Sequence, residues 1–254
     1  MDISALTRSV VKPNYALISP DGHINSTVPG WTNCTVNIII SKEMGADFTQ
    51  TLITCRPGAS LSGQTKQMQA FFYLVSGTID AKIDTTTKTL TEGQYVYIPR
   101  GMEYHFGNAA DKTQLLSFHK TYEPLEAAAD KPLENTTAPG TIFGDTKTIP
   151  ANDLADDKAL RIQVLLPDNP QFDLAINILI FDPGAHLPLV ETHIMEHGLL
   201  YLQGQGIYRL GQDWYPVKKG DCIWMAPYCQ QWFTAMGKEP AVYIYYKNVN
   251  RFIS

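Results

Sequence analysis

Strong helix signals are scarce in this sequence, and the usual marks of membrane or nucleic-acid proteins are missing. The longest apolar runs, such as VNIII at 36–40, are strand-sized and far too short to span a bilayer. The first twenty residues, MDISALTRSVVKPNYALISP, contain no apolar core behind a basic start, so a secretory signal is not expected. Charge is sparse, with 18% charged residues and a net charge of -5 spread along the chain. No basic stripe is present, which argues against nucleic acid as a partner. The four cysteines, Cys34, Cys55, Cys222 and Cys229, form no CxxC pair and no dense framework. Free thiols in a cytoplasmic protein are therefore expected.

What is present is the composition of a packed globular protein, 44% hydrophobic and 11% aromatic over 254 residues. Short apolar runs alternate with Gly, Pro, Asn and Asp at roughly ten-residue spacing, the pattern of a β-sandwich or barrel. Examples are FFYLVSG (71–77), QYVYIP (94–99), NILIFDPG (177–184) and GIYRLG (206–211). Residues 126–145, rich at first in Pro, Ala, Thr and charge, read as a connector. The two sides of it look like copies. YLVSG (73–77) parallels LYLQG (200–204), and LTEGQYVYIP (90–99) parallels VKKGDCIWMA (217–226). Gly77 and Gly93 are 16 residues apart, as are Gly204 and Gly220. Duplication of one β unit predicts an all-β chain of two tandem small barrels, over 1–125 and 146–254.

The segment ETHIMEHG (191–198) sets Glu191, His193 and His197 close together. On a helix, His193 and His197 would share a face that Glu191 would leave. On one straight strand, His193 and His197 would lie about 13 Å apart, too far for a single ion. A bend at Ile194, Met195 and Glu196 solves this, with Glu191 and His193 projecting from one strand and His197 from its neighbour. A carboxylate with two imidazoles is a metal-ligand set, although three polar residues on a solvated hairpin would look the same.

The spacing Gly184, Glu191-x-His193-x3-His197-x6-Gly204 resembles the first cupin motif with Glu and the last His exchanged. The second motif is matched by Gly220-DCIWM-Ala226-Pro-Tyr-Cys-Gln-Gln231, with Gln231 where a His is usual. This resemblance implies a bicupin of double-stranded β-helix (jelly-roll) barrels. It also implies the ligand set Glu191, His193, His197 and Gln231, since an amide oxygen can bind a hard divalent ion. The corresponding N-terminal positions are Gln64, Lys66, Ala70 and Tyr104, with His105 alone nearby. That barrel is expected to be degenerate and metal-free, a scaffold or interface unit.

The run HGLLYLQGQGIYRLGQDWYPVKKGDCIWMAPYCQQW (197–232) with YKNVNR (246–251) resembles the (S)-ureidoglycine aminohydrolase family. The resemblance extends to VKPNYALISPDGHINSTVPGWTN (11–33) and so covers most of the chain. It implies hydrolysis of (S)-ureidoglycine to (S)-ureidoglycolate and ammonia in allantoin catabolism. It implies manganese as the cofactor, although zinc or another divalent ion can compete for such a set. Tyr208, Tyr243 and Lys247 match substrate-contacting positions. Tyr243 and Lys247 share strand parity, and Glu191 and Lys247 are the candidate catalytic groups, Glu191 as a proton shuttle. The family's Asp-x-Asn-x-His is replaced here by Asp173-Leu-Ala175-Ile-Asn177, which changes two residues of the expected pocket wall. Alternatives are another metal-dependent cupin enzyme of the oxalate type, against which Gln231 argues, or a non-catalytic cupin that binds a small acid. A small-molecule substrate and a homo-oligomer, a dimer or higher, are the expected partners.

Overall fold

A computed structural model describes residues 6–125 and 139–252. Most of the expected connector, 126–138, lies outside the described residues. Its last part is not a linker, because Ile142–Asp145 is a strand paired antiparallel with Gln94–Tyr97. Strands joined by loops and turns make up most of the described chain, and its helical residues are confined to 3-10 turns at Pro20–Gly22 and Lys42–Met44. No described helix is long and apolar enough to cross a membrane.

The chain divides into two compact units. Of the described residues, one comprises 24–125, 139–149, 167–174 and 249–252. Its strands form one ten-stranded curled sheet organised on the 17-residue strand Phe48–Gln64. That strand pairs with Thr113–Thr121 along its first half and with Glu103–Gly107 at its end. A residue alternation of buried and exposed along it sends Ile53, Cys55 and Leu61 into a core shared with Phe72, Leu74 and Phe106.

The other unit comprises, of the described residues, 6–23, 150–166 and 175–248. It holds an eight-stranded sheet centred on His197–Gln203 and Ala241–Asn248, and a three-stranded sheet of Asp213–Lys218, Gln205–Leu210 and Gln231–Met236. Its core gathers Phe181, Leu199, Tyr201, Phe233 and Tyr243.

The repeat read from sequence is realised strand for strand. Met68–Ser76, Thr78–Ile83, Thr86–Thr91 and Gln94–Ile98 in one unit correspond in order to His197–Gln203, Gln205–Leu210, Asp213–Lys218 and Cys222–Met225 in the other. Gly77 and Gly204 turn the chain at equivalent places with φ of 87° and 73°, a backbone region that favours glycine.

The units do not coincide with the boundaries expected from sequence. Tyr15–Ile18 pairs antiparallel with Cys222–Met225, which builds the N-terminal hairpin into the second unit's sheet. Arg8 adds a bidentate ion pair to the fully buried Asp221, at 2.6 and 2.9 Å. Tyr15 donates to Asp213 at 2.5 Å. In the opposite sense, residues 167–174 belong to the first unit. There the buried carboxylate of Asp173 accepts from Lys120 Nζ at 2.8 Å, from the Glu123 amide at 2.8 Å, and from the side-chain amide of Gln69. Both exchanges satisfy buried charges that would otherwise stand unpaired.

Candidate active site

The site lies in the second unit, at a cavity of about 250 Å³. Its apolar wall includes Leu179, Leu199 and Met225, and its polar side is formed by the residues singled out from sequence. All seven of them, Glu191, His193, His197, Tyr208, Gln231, Tyr243 and Lys247, line it.

Two of the expected ligands reach the cavity by a different route from the one predicted. Glu191 and His193 lie on a loop that follows Leu174–Phe181, whereas a strand was expected. Pro183 and Pro188, which carry no amide proton, interrupt any regular ladder there. The loop is still held along Gln231–Met236. Leu187 N donates to Phe233 O at 2.9 Å, and Glu191 and Gln231 exchange both backbone bonds at 2.8 and 3.0 Å. This isolated bridge sets Glu191 directly opposite Gln231. Tyr228 N then donates to His193 O at 2.7 Å, closing the turn before His197 opens the next strand. The bend expected at 194–196 is therefore present, since those residues connect the loop to that strand.

The side-chain tips converge. His197 Nε2 lies 3.3 Å from His193 Nε2. The Gln231 amide nitrogen lies 3.1 Å from the same His193 atom, and a Glu191 carboxylate oxygen lies 3.7 Å from it. His197 is buried, and desolvation first, then the neighbouring His193 and Lys247, push its imidazole down to about 3. It is neutral at ordinary pH. Its Nδ1 is 3.3 Å from the Tyr246 carbonyl, which can only accept, so the ring proton sits on Nδ1. The Nε2 lone pair consequently faces His193. The Nδ1 atom of His193 is buried without a partner, which leaves Nε2 to carry that ring's polar contacts.

The 3.1 and 3.3 Å spacings match those of atoms that share a divalent cation, and the Glu191 oxygen at 3.7 Å stands slightly wide of them. Ligand atoms about 2.1 Å from an ion stand about 3.0 Å apart in an octahedron and about 3.4 Å apart in a tetrahedron. Counting only His, Cys, Asp and Glu, no group of three among the described residues meets the geometry of a metal cage. The fourth donor here is an amide, and the convergence rests on Gln231 and on the close approach of the two imidazoles. Tyr208 Oη donates to Gln231 Oε1 at 3.2 Å and so holds the amide from behind. With the amide turned over to offer its oxygen to a cation, the same hydroxyl can accept from the NH2 group.

Tyr208 and Tyr243 are both buried, and desolvation raises their hydroxyl pKa values well above the ordinary phenol value. They are therefore neutral hydrogen-bond donors. Lys247 pairs in register with His197 across the sheet, which points both side chains to the same face. Tyr245, between Tyr243 and Lys247, also lines the cavity. Strand parity carried the signal for it, since 243, 245 and 247 all share one face. Ala175 and Asn177 do not line the cavity; Asn177 stands behind Tyr245, donating to its hydroxyl at 3.2 Å.

The N-terminal counterpart is built differently. Tyr104 lies over Gly63 and packs its ring against Phe72 and Phe106, at 5.6 and 5.9 Å. Ala70 stands opposite Ile98, as His197 stands opposite Met225. Lys66 is exposed, and His105 is an exposed residue bonded to Ser62 Oγ at 2.9 Å.

Comparison with known proteins agrees with this architecture. A family model described as a cupin domain matches residues 51–118, within the first unit. A protein of Oryza sativa named probable (S)-ureidoglycine aminohydrolase is 36% identical over 251 residues, covering 98% of this chain and 78% of its own length. The (S)-ureidoglycine aminohydrolase of Escherichia coli K12 is 35% identical over 249 residues, covering 96% of this chain and 92% of its own. The crystal structure of protein Ylba from E. coli is 32% identical with a TM-score of 0.84, covering 98% of this chain and 96% of that one. The chain belongs to the (S)-ureidoglycine aminohydrolase family of cupin proteins.

Proposed function

We propose that this enzyme hydrolyses (S)-ureidoglycine to (S)-ureidoglycolate and ammonia, using a manganese ion held by Glu191, His193, His197 and Gln231. The observation that carries the proposal is the convergence of these four donors on one cavity, in a chain whose relatives are named for that reaction. A divalent ion in such a set supplies acidity to water and positive charge for oxygen ligands.

The remaining work falls to the chain's own side chains. Lys247 offers an ammonium to the substrate carboxylate, a charge-assisted bond stronger than a neutral one. The hydroxyls of Tyr208 and Tyr243 are kept protonated by burial and do not act as bases; once Gln231 turns its oxygen to the cation and its NH2 to Tyr208, the Tyr208 proton is freed for a substrate oxygen. The departing amine needs a proton. Glu191 is the only carboxylate among the described residues lining the cavity, and its side chain is 34% exposed on a loop, so it is the group suited to take the proton lost by the attacking water and pass it to the amine.

The test is ammonia release from freshly generated ureidoglycine, with elemental analysis of protein purified without added metal. Chelation should stop the release, and returning Mn2+ should restore it. His193→Ala and His197→Ala should each lose both bound metal and ammonia release. Wild-type turnover in either variant would overturn the assignment.

A further inference from the structure

Tyr245 stands on Ala241–Asn248 midway between Tyr243 and Lys247, on the strand face that lines the cavity. Alternate side chains on a strand repeat about every 6.6–7 Å, so the three polar tips form a row along one wall. The Tyr245 ring stands edge-on to His197, with centroids 5.5 Å apart at 78°, and to Tyr243, 5.9 Å apart at 69°. This packing fixes where its hydroxyl sits relative to the converging donors.

The hydroxyl has one protein partner among the described residues, Asn177, whose Nδ2 donates to it at 3.2 Å. Asn177 is only 3% exposed, and its Oδ1 is buried with no partner. Leucine would occupy a similar volume without that unpartnered carbonyl, so the bond to Tyr245 is what the amide contributes here. A phenol has one proton to give. With an Oη lone pair occupied by Asn177, the proton is left for an acceptor on the cavity side.

We infer that Tyr245 is a further ligand-contacting residue, donating to a carboxylate or ureido oxygen of a small ureido acid, and that Asn177 is the positioning residue that turns its proton towards the ligand. Tyr245 and Lys247 then act as neighbouring donors for the oxygen-rich end of the ligand, and Asn177 acts only through Tyr245. The inference rests on the functional reading above.

The experiment is calorimetric titration of the full-length, manganese-loaded protein with N-carbamoylglycine, a stable ureido acid that lacks the reactive amine. Tyr245→Phe keeps the ring against His197 and removes only the oxygen. It should bind about tenfold more weakly than wild type, the usual effect of losing a bond to a charged group. Asn177→Leu should weaken binding about three- to tenfold, and the double variant should be no weaker than Tyr245→Phe alone, because both act through one hydroxyl. Melting temperature and circular dichroism show that each variant is folded. Binding by Tyr245→Phe within twofold of wild type, or additive losses in the double variant, would overturn the inference while leaving the enzyme assignment intact. Wild-type protein that neither releases ammonia from ureidoglycine nor binds N-carbamoylglycine would overturn the functional reading and this inference with it.

Discussion

Tyr208→Phe tests whether the fourth donor is held in place from behind. The Tyr208 hydroxyl donates to Gln231 Oε1 at 3.2 Å and lies 3.6 Å from Met225 Sδ. Tyr208 is 1% exposed and Gln231 3%, so water does not take over when the oxygen is removed. The ring itself is retained, tilted 33° against Phe233 at 5.6 Å, and phenylalanine keeps that contact. The loss is therefore a buried amide oxygen without its donor, which costs about 1–3 kcal/mol. For a chain of this size each kcal/mol shifts the melting temperature by about 2–4 °C, so a fall of about 4–8 °C is expected in the middle of that range. Removing the partner that orients a ligand also weakens metal binding about 10–100-fold. Differential scanning calorimetry measures the first effect. Titration with Mn2+, followed by the paramagnetic resonance signal of the free ion, measures the second. Unchanged melting together with unchanged manganese affinity would show that Gln231 does not depend on this hydroxyl, and the proposed four-donor set would lose its support from behind.

Two further outcomes follow from buried charges in the first unit. Lys120→Met should destabilise that unit by about 3–5 kcal/mol, because the fully buried Asp173 carboxylate loses its 2.8 Å cation. Adding Asp173→Leu should recover much of the loss in a urea titration, and a double variant no better than Lys120→Met would refute that account. Burial lowers the His119 imidazole to about 4, well below its value of about 6.5 in an unfolded chain. The unfolded chain then takes up the proton first, so stability is lost as pH falls below about 6.5 and the loss is complete below about 4. Between pH 7.5 and 4.5 this amounts to at most about 2.5 kcal/mol, since the ring keeps some solvent contact. His119→Phe should flatten that part of the acid limb relative to wild type in urea midpoints measured across the range. An acid limb unchanged in the variant would exclude His119 as its source.

The repeat was readable because each copy keeps its turn glycines and its alternating apolar residues, and those are local signals. Gly77 and Gly204, with their positive φ, mark the same turn in both copies. The metal-type donors were readable for a related reason. Glu191, His193 and His197 sit within seven residues, and Gln231 falls in a motif frame counted from Gly220. Tyr245 shares the strand parity of Tyr243 and Lys247, so its place on the cavity face is equally local. The loop that carries Glu191 and His193 had its own signal in Pro183 and Pro188, which deny a regular strand its amide donors.

The order of residues thus established the β architecture, its repeated strand order and which polar side chains line the cavity, because periodicity and turn chemistry act over a few residues at a time. The folded chain alone decided that Tyr15–Ile18 joins the sheet of the second unit and that Asp173 is neutralised by Lys120 in the first. It also decided that Asn177 stands behind Tyr245, outside the cavity wall. Those pairings join residues 53 to 210 positions apart, and nothing in either local segment specifies its partner; the burial of unpaired backbone and charge selects it only when the whole chain packs.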